Sequence, residues 1–158
     1  MAGQQRSCLQ LLRRLILAVV MVSLSAAGGA PSYPERGPKD LVQEVLDAQV
    51  AAWNKGDLES FMVGYWKSPD LSFFSGSTKT RGWQATLDRY RARYQAEGQE
   101  MGKLTFSEIE IDVLGPDGAW VRGRWKLVTS KETLGGLFTL VFKRTPDGWR
   151  IVHDHTSA

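Results

Sequence analysis

Cysteine is almost missing from this chain, and the position of its one thiol narrows its chemistry further. Cys8 lies ahead of the apolar run Leu15-Ile16-Leu17-Ala18-Val19-Val20-Met21-Val22. A lipid-anchoring cysteine would follow such a run, and one thiol makes neither an intrachain disulfide nor a thiolate metal cage. Histidine is nearly as scarce, with two in 158 residues, His153 and His155, both in the closing stretch. Two histidines at that spacing on a strand share a face and could hold a metal or move protons. No third ligand stands near them, so neither a metal nor another cofactor is expected. Also missing is any apolar run long enough to span a bilayer comfortably.

A surplus of one charge is missing too, once the first thirty residues are set aside. Arg6, Arg13 and Arg14 precede the apolar run, and small residues follow over 23–30. A basic segment, a short apolar core and a small-residue exit describe a secretory signal peptide over residues 1–30. The expected location is therefore exported, either periplasmic or extracellular. That leader holds three basic and no acidic side chains, so the +3 of the whole chain becomes a balance of 17 Lys and Arg against 17 Asp and Glu. A neutral domain has no global field to gather nucleic acid or anionic lipid. Nucleic-acid partners and stable membrane association after leader cleavage are accordingly not expected.

What is present organises as one domain over 40–158. Residues 31–39, with three prolines, read as a flexible lead-in. Asp40, with Gln43 three positions on, reads as a helix cap, and Val42, Val45, Leu46, Val50 and Trp53 then recur at helical spacing. Gly56 stops that helix and Asp57 caps a second, with Leu58, Phe61, Met62, Tyr65 and Trp66 on one face up to Pro69. A short strand over 71–74 ends at Ser75-Gly76-Ser77. The third helix, over 81–97, places Trp83, Leu87, Tyr90 and Tyr94 on one side. Asp88, Arg89, Arg91, Arg93 and Glu97 fall on the other, as a solvated face.

Beyond Gly102 the period becomes two. Strands are expected over 103–114, 119–128 and 137–144, with a closing strand from Gly148. Gly115-Pro116-Asp117-Gly118 and Thr145-Pro146-Asp147-Gly148 supply tight turns. Three helices, one short strand and an antiparallel meander of four long strands make an α+β fold: a curved antiparallel sheet packed on three helices.

Three stretches carry a resemblance to a known family. They are Ala52-Trp53-Asn54-Lys55-Gly56-Asp57 leading into Phe61, Thr80-Arg81-Gly82-Trp83 opening a helix to Tyr90, and Gly148-Trp149-Arg150-Ile151-Val152-His153-Asp154-His155-Thr156-Ser157. Together they resemble the SnoaL-like branch of the nuclear transport factor 2-like superfamily. The pattern is close to its secreted members and to the association domain of calcium/calmodulin-dependent kinases. The resemblance covers residues 40–157 and implies a cystatin-like cone, a cavity between sheet and helices, and a homodimer formed through the outer sheet face. For activity it implies a range: isomerases, dehydratases, epoxide hydrolases, polyketide cyclases and non-catalytic assembly domains.

Strict alternation divides the closing strand into Trp149, Ile151, His153 and His155 on one face and Arg150, Val152, Asp154 and Thr156 on the other. Taken by itself, Asp154 reads as a strand-end carboxylate, exposed or paired with Arg122 or Arg124. The resemblance to the kinase association domain turns Asp154 and Thr156 inward and the histidines outward. It also sets Leu140 and Trp125 where that domain has arginines, which makes the cavity more apolar. An inward Asp154 would have a raised pKa and could act as a general base. Asp154, His153 and His155 are the catalytic candidates. The aromatic residues are core first, and Tyr65, Trp66, Phe73, Tyr90, Trp125 and Phe138, with Thr156, are the ligand-binding candidates.

Three functions fit. The first is an exported, dimeric domain that binds a small apolar molecule without turnover. The second is an isomerase, dehydratase or cyclase, with Asp154 or a histidine as base and Tyr65 or Tyr90 orienting the substrate. The third is an assembly domain whose function lies in an outer surface bearing Trp120.

Overall fold

The computed structural model describes residues 36–157. The expected leader over 1–30 and most of the lead-in lie outside the described residues. Helix α1 (Pro38–Trp53) begins two residues before Asp40. Pro38 occupies the first turn, where its missing N–H removes no helical bond. Gly37 is the cap, and Asp40, expected there, instead accepts a hydrogen bond from the Gly37 N–H at 2.9 Å. Val42, Leu46, Gln49, Ala52 and Trp53 form its buried face.

Gly56, at φ 76°, turns the chain out of the helix. Asp57 caps helix α2 (Leu58–Met62), accepting from the Ser60 N–H at 2.9 Å. This helix has only five residues. Tyr65 and Trp66, expected on its continuation, lie beyond it, because their backbone finds partners in the closing strand. Trp66 N donates to the Ile151 carbonyl at 2.9 Å, and Ile151 N donates to Gly64 at 2.9 Å.

Strands β1 (Ser72–Ser75) and β2 (Thr78–Arg81) form an antiparallel hairpin around Gly76. Strand β2 was not expected, since Thr78-Lys79-Thr80-Arg81 has no apolar residue to mark an alternation. Helix α3 (Trp83–Tyr94) follows and is shorter than the expected 81–97. Then come β3 (Lys103–Val113), β4 (Gly118–Val128), β5 (Thr133–Thr145) and β6 (Gly148–Thr156). Strand β5 begins before the expected 137 because Gly135 and Gly136 pair with Lys126 and Trp125.

The six strands form one curved sheet in the order β2-β1-β6-β5-β4-β3. The long four are the expected antiparallel meander, whereas β1 joins β6 in parallel. The helix-facing side of the sheet and the three helices enclose the core, in which Leu46, Leu58, Met62, Phe142 and Ile151 are essentially inaccessible to solvent. Each such side chain contributes roughly 1.5–3 kcal/mol by its burial.

Two bulges interrupt the alternation. In β3 the pairing jumps between Ser107 and Glu110, with Glu108 at φ 52°. Leu104 and Ile111, of opposite parity in sequence, are therefore both buried. The second bulge lies in β6 and determines the candidate site.

Candidate functional site

In β6, Ile151 pairs with Phe142 and His153 with Val141, so Val152 is an extra residue between them. An extra residue shifts the side-chain phase by one. Beyond it Asp154 stands opposite Leu140 and Thr156 opposite Phe138. Residues paired across strands share a face, and Leu140, Phe138 and Phe142 are all buried on the inner one. The two-face division expected from strict alternation is thus corrected. Asp154 and Thr156 share the inner face with Trp149 and Ile151, and His153 and His155 lie on the outer face.

Asp154 is only 3% exposed. The Tyr65 hydroxyl donates to its Oδ2 at 2.7 Å and the Thr156 hydroxyl to its Oδ1 at 2.6 Å. The Tyr65 and Tyr90 hydroxyl oxygens lie 3.4 Å apart. The reading of Asp154 as exposed or arginine-paired is corrected, because Arg122 pairs with Glu110 and Asp112 and Arg124 with Glu108. Burial without a counterion pushes the Asp154 carboxyl up to about 6, against the opposing pull of the Thr156 and Tyr65 hydrogen bonds and of His155. Burial, and after it the Asp154 charge, raises Tyr65 and Tyr90, so both phenols keep their protons.

These groups open onto a cavity of about 120 Å³. That is near the roughly 150 Å³ apolar cavity known to admit benzene, and below the usual size for drug-like ligands. Phe61, Phe73, Trp125, Phe138 and Leu140 are part of its apolar wall. Gly123 makes room for one of them: a Cβ there would stand 2.5 Å from Phe138 Cζ.

Of the expected ligand-binding residues, Tyr65, Phe73, Tyr90, Trp125, Phe138 and Thr156 line this cavity and Trp66 does not. Trp66 is displaced because the chain leaves the helix before reaching it. The histidines lie outside the cavity as well. Ser72 Oγ and His153 Nδ1 are 2.7 Å apart, and the Phe74 ring meets both imidazoles edge-on. Burial, then the neighbouring His155, lowers the His153 pKa. Among the described residues, no three His, Cys, Asp or Glu side chains converge as a metal site.

Sequence reasoning missed Arg89 and Arg93 as cavity residues: both line it, Arg89 half-buried and Arg93 still exposed as a solvated face implies. Arg89 Nη1 donates to Thr80 Oγ1 at 3.0 Å, and its guanidinium lies 5.3 Å from the Phe73 ring centre. Arg93 lies 5.5 Å from the Tyr94 ring centre. The available signal was spacing: Arg89 and Arg93 recur at the same interval as Tyr90 and Tyr94, so the two pairs form adjacent rows on α3.

An apolar enclosure with a carboxyl titrating near neutrality and two protonated phenols can do two things chemically. It can hold the one polar group of an apolar guest, and it can exchange a proton with it.

This architecture has known counterparts. Residues 42–158 match the family described as a SnoaL-like domain. The chain belongs to the SnoaL-like family. A nuclear transport factor 2-like protein of unknown function from Shewanella oneidensis is 38% identical to this SnoaL-like domain, with a TM-score of 0.73, covering 77% of this chain and 100% of that one. A cystatin-like protein of unknown function from Nostoc punctiforme superposes with a TM-score of 0.62 at 12% identity, covering 75% and 89% of the two chains. A putative calcium/calmodulin-dependent protein kinase type II association domain from Thiobacillus denitrificans does so with 0.60 at 23%, covering 73% and 92%. The last two likenesses are of fold alone. No curated protein matches the chain. The expected α+β fold and the expected family both hold for this SnoaL-like domain.

Proposed function

We propose that this chain is an exported SnoaL-like domain that binds a small, largely apolar molecule bearing one hydrogen-bonding group. The observation that carries the reading is Asp154, a buried carboxyl on an otherwise mostly aromatic and aliphatic cavity wall. Its oxygens accept from Tyr65 and Thr156, and a carboxylate has acceptor capacity beyond those two bonds. A donor on the guest satisfies that capacity, and the aromatic wall takes up the rest of the molecule. The export part of the proposal rests on the basic and apolar pattern of residues 1–30.

Titration of the purified protein with phenol and with benzyl alcohol, followed by NMR, tests the binding reading. Saturable shifts at Tyr65, Asp154 and Thr156 are expected. No saturable shift there, or shifts confined to the outer sheet face, would overturn it.

Asp154 also favours a second reading. A carboxyl poised near neutrality suits a general base, with Tyr65 and Tyr90 orienting the substrate, as an isomerase, dehydratase or cyclase requires. Both readings use the same cavity, and they part on whether the guest is altered.

The domain is further proposed to act as a homodimer through the outer face of the sheet. There Trp120 and Val141 face each other across β4 and β5, at 37% and 36% exposure, with Leu137 at 54% on the same side. Apolar groups together on an open face mark a contact surface. Light scattering is expected to give twice the chain mass for the wild type and the single mass for Val141→Asp. A monomeric wild type would remove the dimer.

A further inference from the structure

We propose that the molecule bound in this cavity carries a carboxylate, gripped by Arg89 and Arg93, in addition to the group that meets Asp154. The inference rests on the binding reading above and specifies the class of ligand. Both arginines line the cavity from α3, one helical turn apart and therefore on the same side of the helix.

Neither has a carboxylate partner among the described residues. Arg36, Arg81, Arg91, Arg122 and Arg124 each do, and the other two arginines without one, Arg144 and Arg150, do not line this cavity. The contrast is sharpest on α3 itself. Arg91, between the two, faces away from the cavity and pairs with both Glu59 and Asp88. The acidic residue in the cavity does not serve Arg89 or Arg93 either, since the hydrogen bonds of Asp154 come from Tyr65 and Thr156.

Arg89 is also held in place. Its Nη1 is tied to Thr80 Oγ1 and its plane lies near the Phe73 ring, which leaves the other guanidinium N–H groups to a guest. A planar guanidinium fork matches a carboxylate through two parallel hydrogen bonds, and little ordering is left to do on binding. Arg93 is exposed, whereas Asp154 is buried, so the cationic side of the cavity is its open side. The fitting ligand class is a compact hydroxy acid: a carboxylate at the arginines, a single ring or short branched chain against Phe73, Trp125 and Phe138, and a hydroxyl donated to Asp154.

Calorimetry with 4-hydroxybenzoate and its neutral counterpart 4-hydroxybenzyl alcohol tests this. The wild type is expected to bind the acid at least ~10-fold more tightly, as charge-assisted hydrogen bonds imply. The Arg89→Gln/Arg93→Gln double variant is expected to lose that preference, read as the ratio of acid to alcohol affinity within the same variant. Arg93→Gln alone, at an exposed position, is expected to lose part of it, and Arg91→Gln none. Equal binding of acid and alcohol by the wild type overturns the inference and leaves the binding reading intact. Binding of neither overturns both. A preference for the acid that survives the double variant overturns the role of the two arginines.

Discussion

Replacing Asp154 by asparagine is expected to stabilise the fold at pH 8 by about 3 kcal/mol and to leave it nearly unchanged at pH 4. Burial raises the carboxyl from its ordinary 3.8 to about 6, and each pH unit of such a difference corresponds to about 1.4 kcal/mol. The sign follows from the direction. A carboxyl whose folded pKa is raised holds its proton more tightly in the folded state. Its favourable contribution is therefore complete below about pH 4 and is lost as pH rises through about 6. Above that pH the wild type carries a buried charge without a counterion. Asparagine keeps the size and a carbonyl acceptor for Tyr65 or Thr156, and removes the charge.

Urea unfolding at pH 4, 6 and 8 checks this. The wild type should weaken over that range relative to Asp154→Asn, and parallel stabilities would exclude an uncompensated buried carboxylate. If the domain turns a substrate over, the same variant should abolish turnover by removing the proton acceptor. Stability gained where function is lost is the pattern expected of a group retained for its chemistry. A variant that binds the guest normally and turns it over normally would remove Asp154 from the mechanism.

Gly123→Ala is expected to close the cavity. The added Cβ would stand 2.5 Å from Phe138 Cζ and 3.0 and 3.1 Å from its two Cε atoms, well inside contact distance. Phe138 is 4% exposed and packed against Phe106, with ring centres 5.1 Å apart, so the open direction for its ring is the cavity it lines. Overpacking of this kind destabilises by about 1–3 kcal/mol. Affinity for 4-hydroxybenzyl alcohol should fall at least ~10-fold, because the ring now occupies the space the guest needs. Thermal unfolding and the same calorimetric titration measure the two effects. Adding Phe138→Leu, which removes the clashing ring, should restore much of both. Unimpaired binding by Gly123→Ala would show that the guest does not use this cavity.

The two replacements act on opposite features of one site. Asp154 is a polar group that burial has made responsive to pH, and Gly123 is a vacancy that a side chain elsewhere has filled. Periodicity placed both residues on their strands, but neither consequence follows from a strand assignment. The solvated reading of the third helix holds for Asp88, Arg91, Arg93 and Glu97, which are exposed, and fails for the half-buried Arg89 for a related reason. Helical spacing separates Arg89 and Arg93 from the aromatic row, yet Arg89 reaches Thr80 on β2, a strand without any apolar mark in the sequence.

The class of fold and its framework follow from residue spacing along the chain. Apolar side chains at a period near 3.6 and then at 2, with glycine and proline at the turns, left an α+β meander as the arrangement that buries them. That part is local, since spacing along the chain is enough to state it. Alternation left open which face of the closing strand looks inward; the resemblance turned Asp154 and Thr156 inward, and the folded chain supplies the physical reason. Val152 bulges because β6 must pair with both β5 and β1 while its earlier residues bond the turn at Gly64 and Trp66. That one extra residue puts Asp154 in the cavity and both histidines outside it. A bulge is a compromise among partners distant in sequence, so the strand's own residues do not encode it.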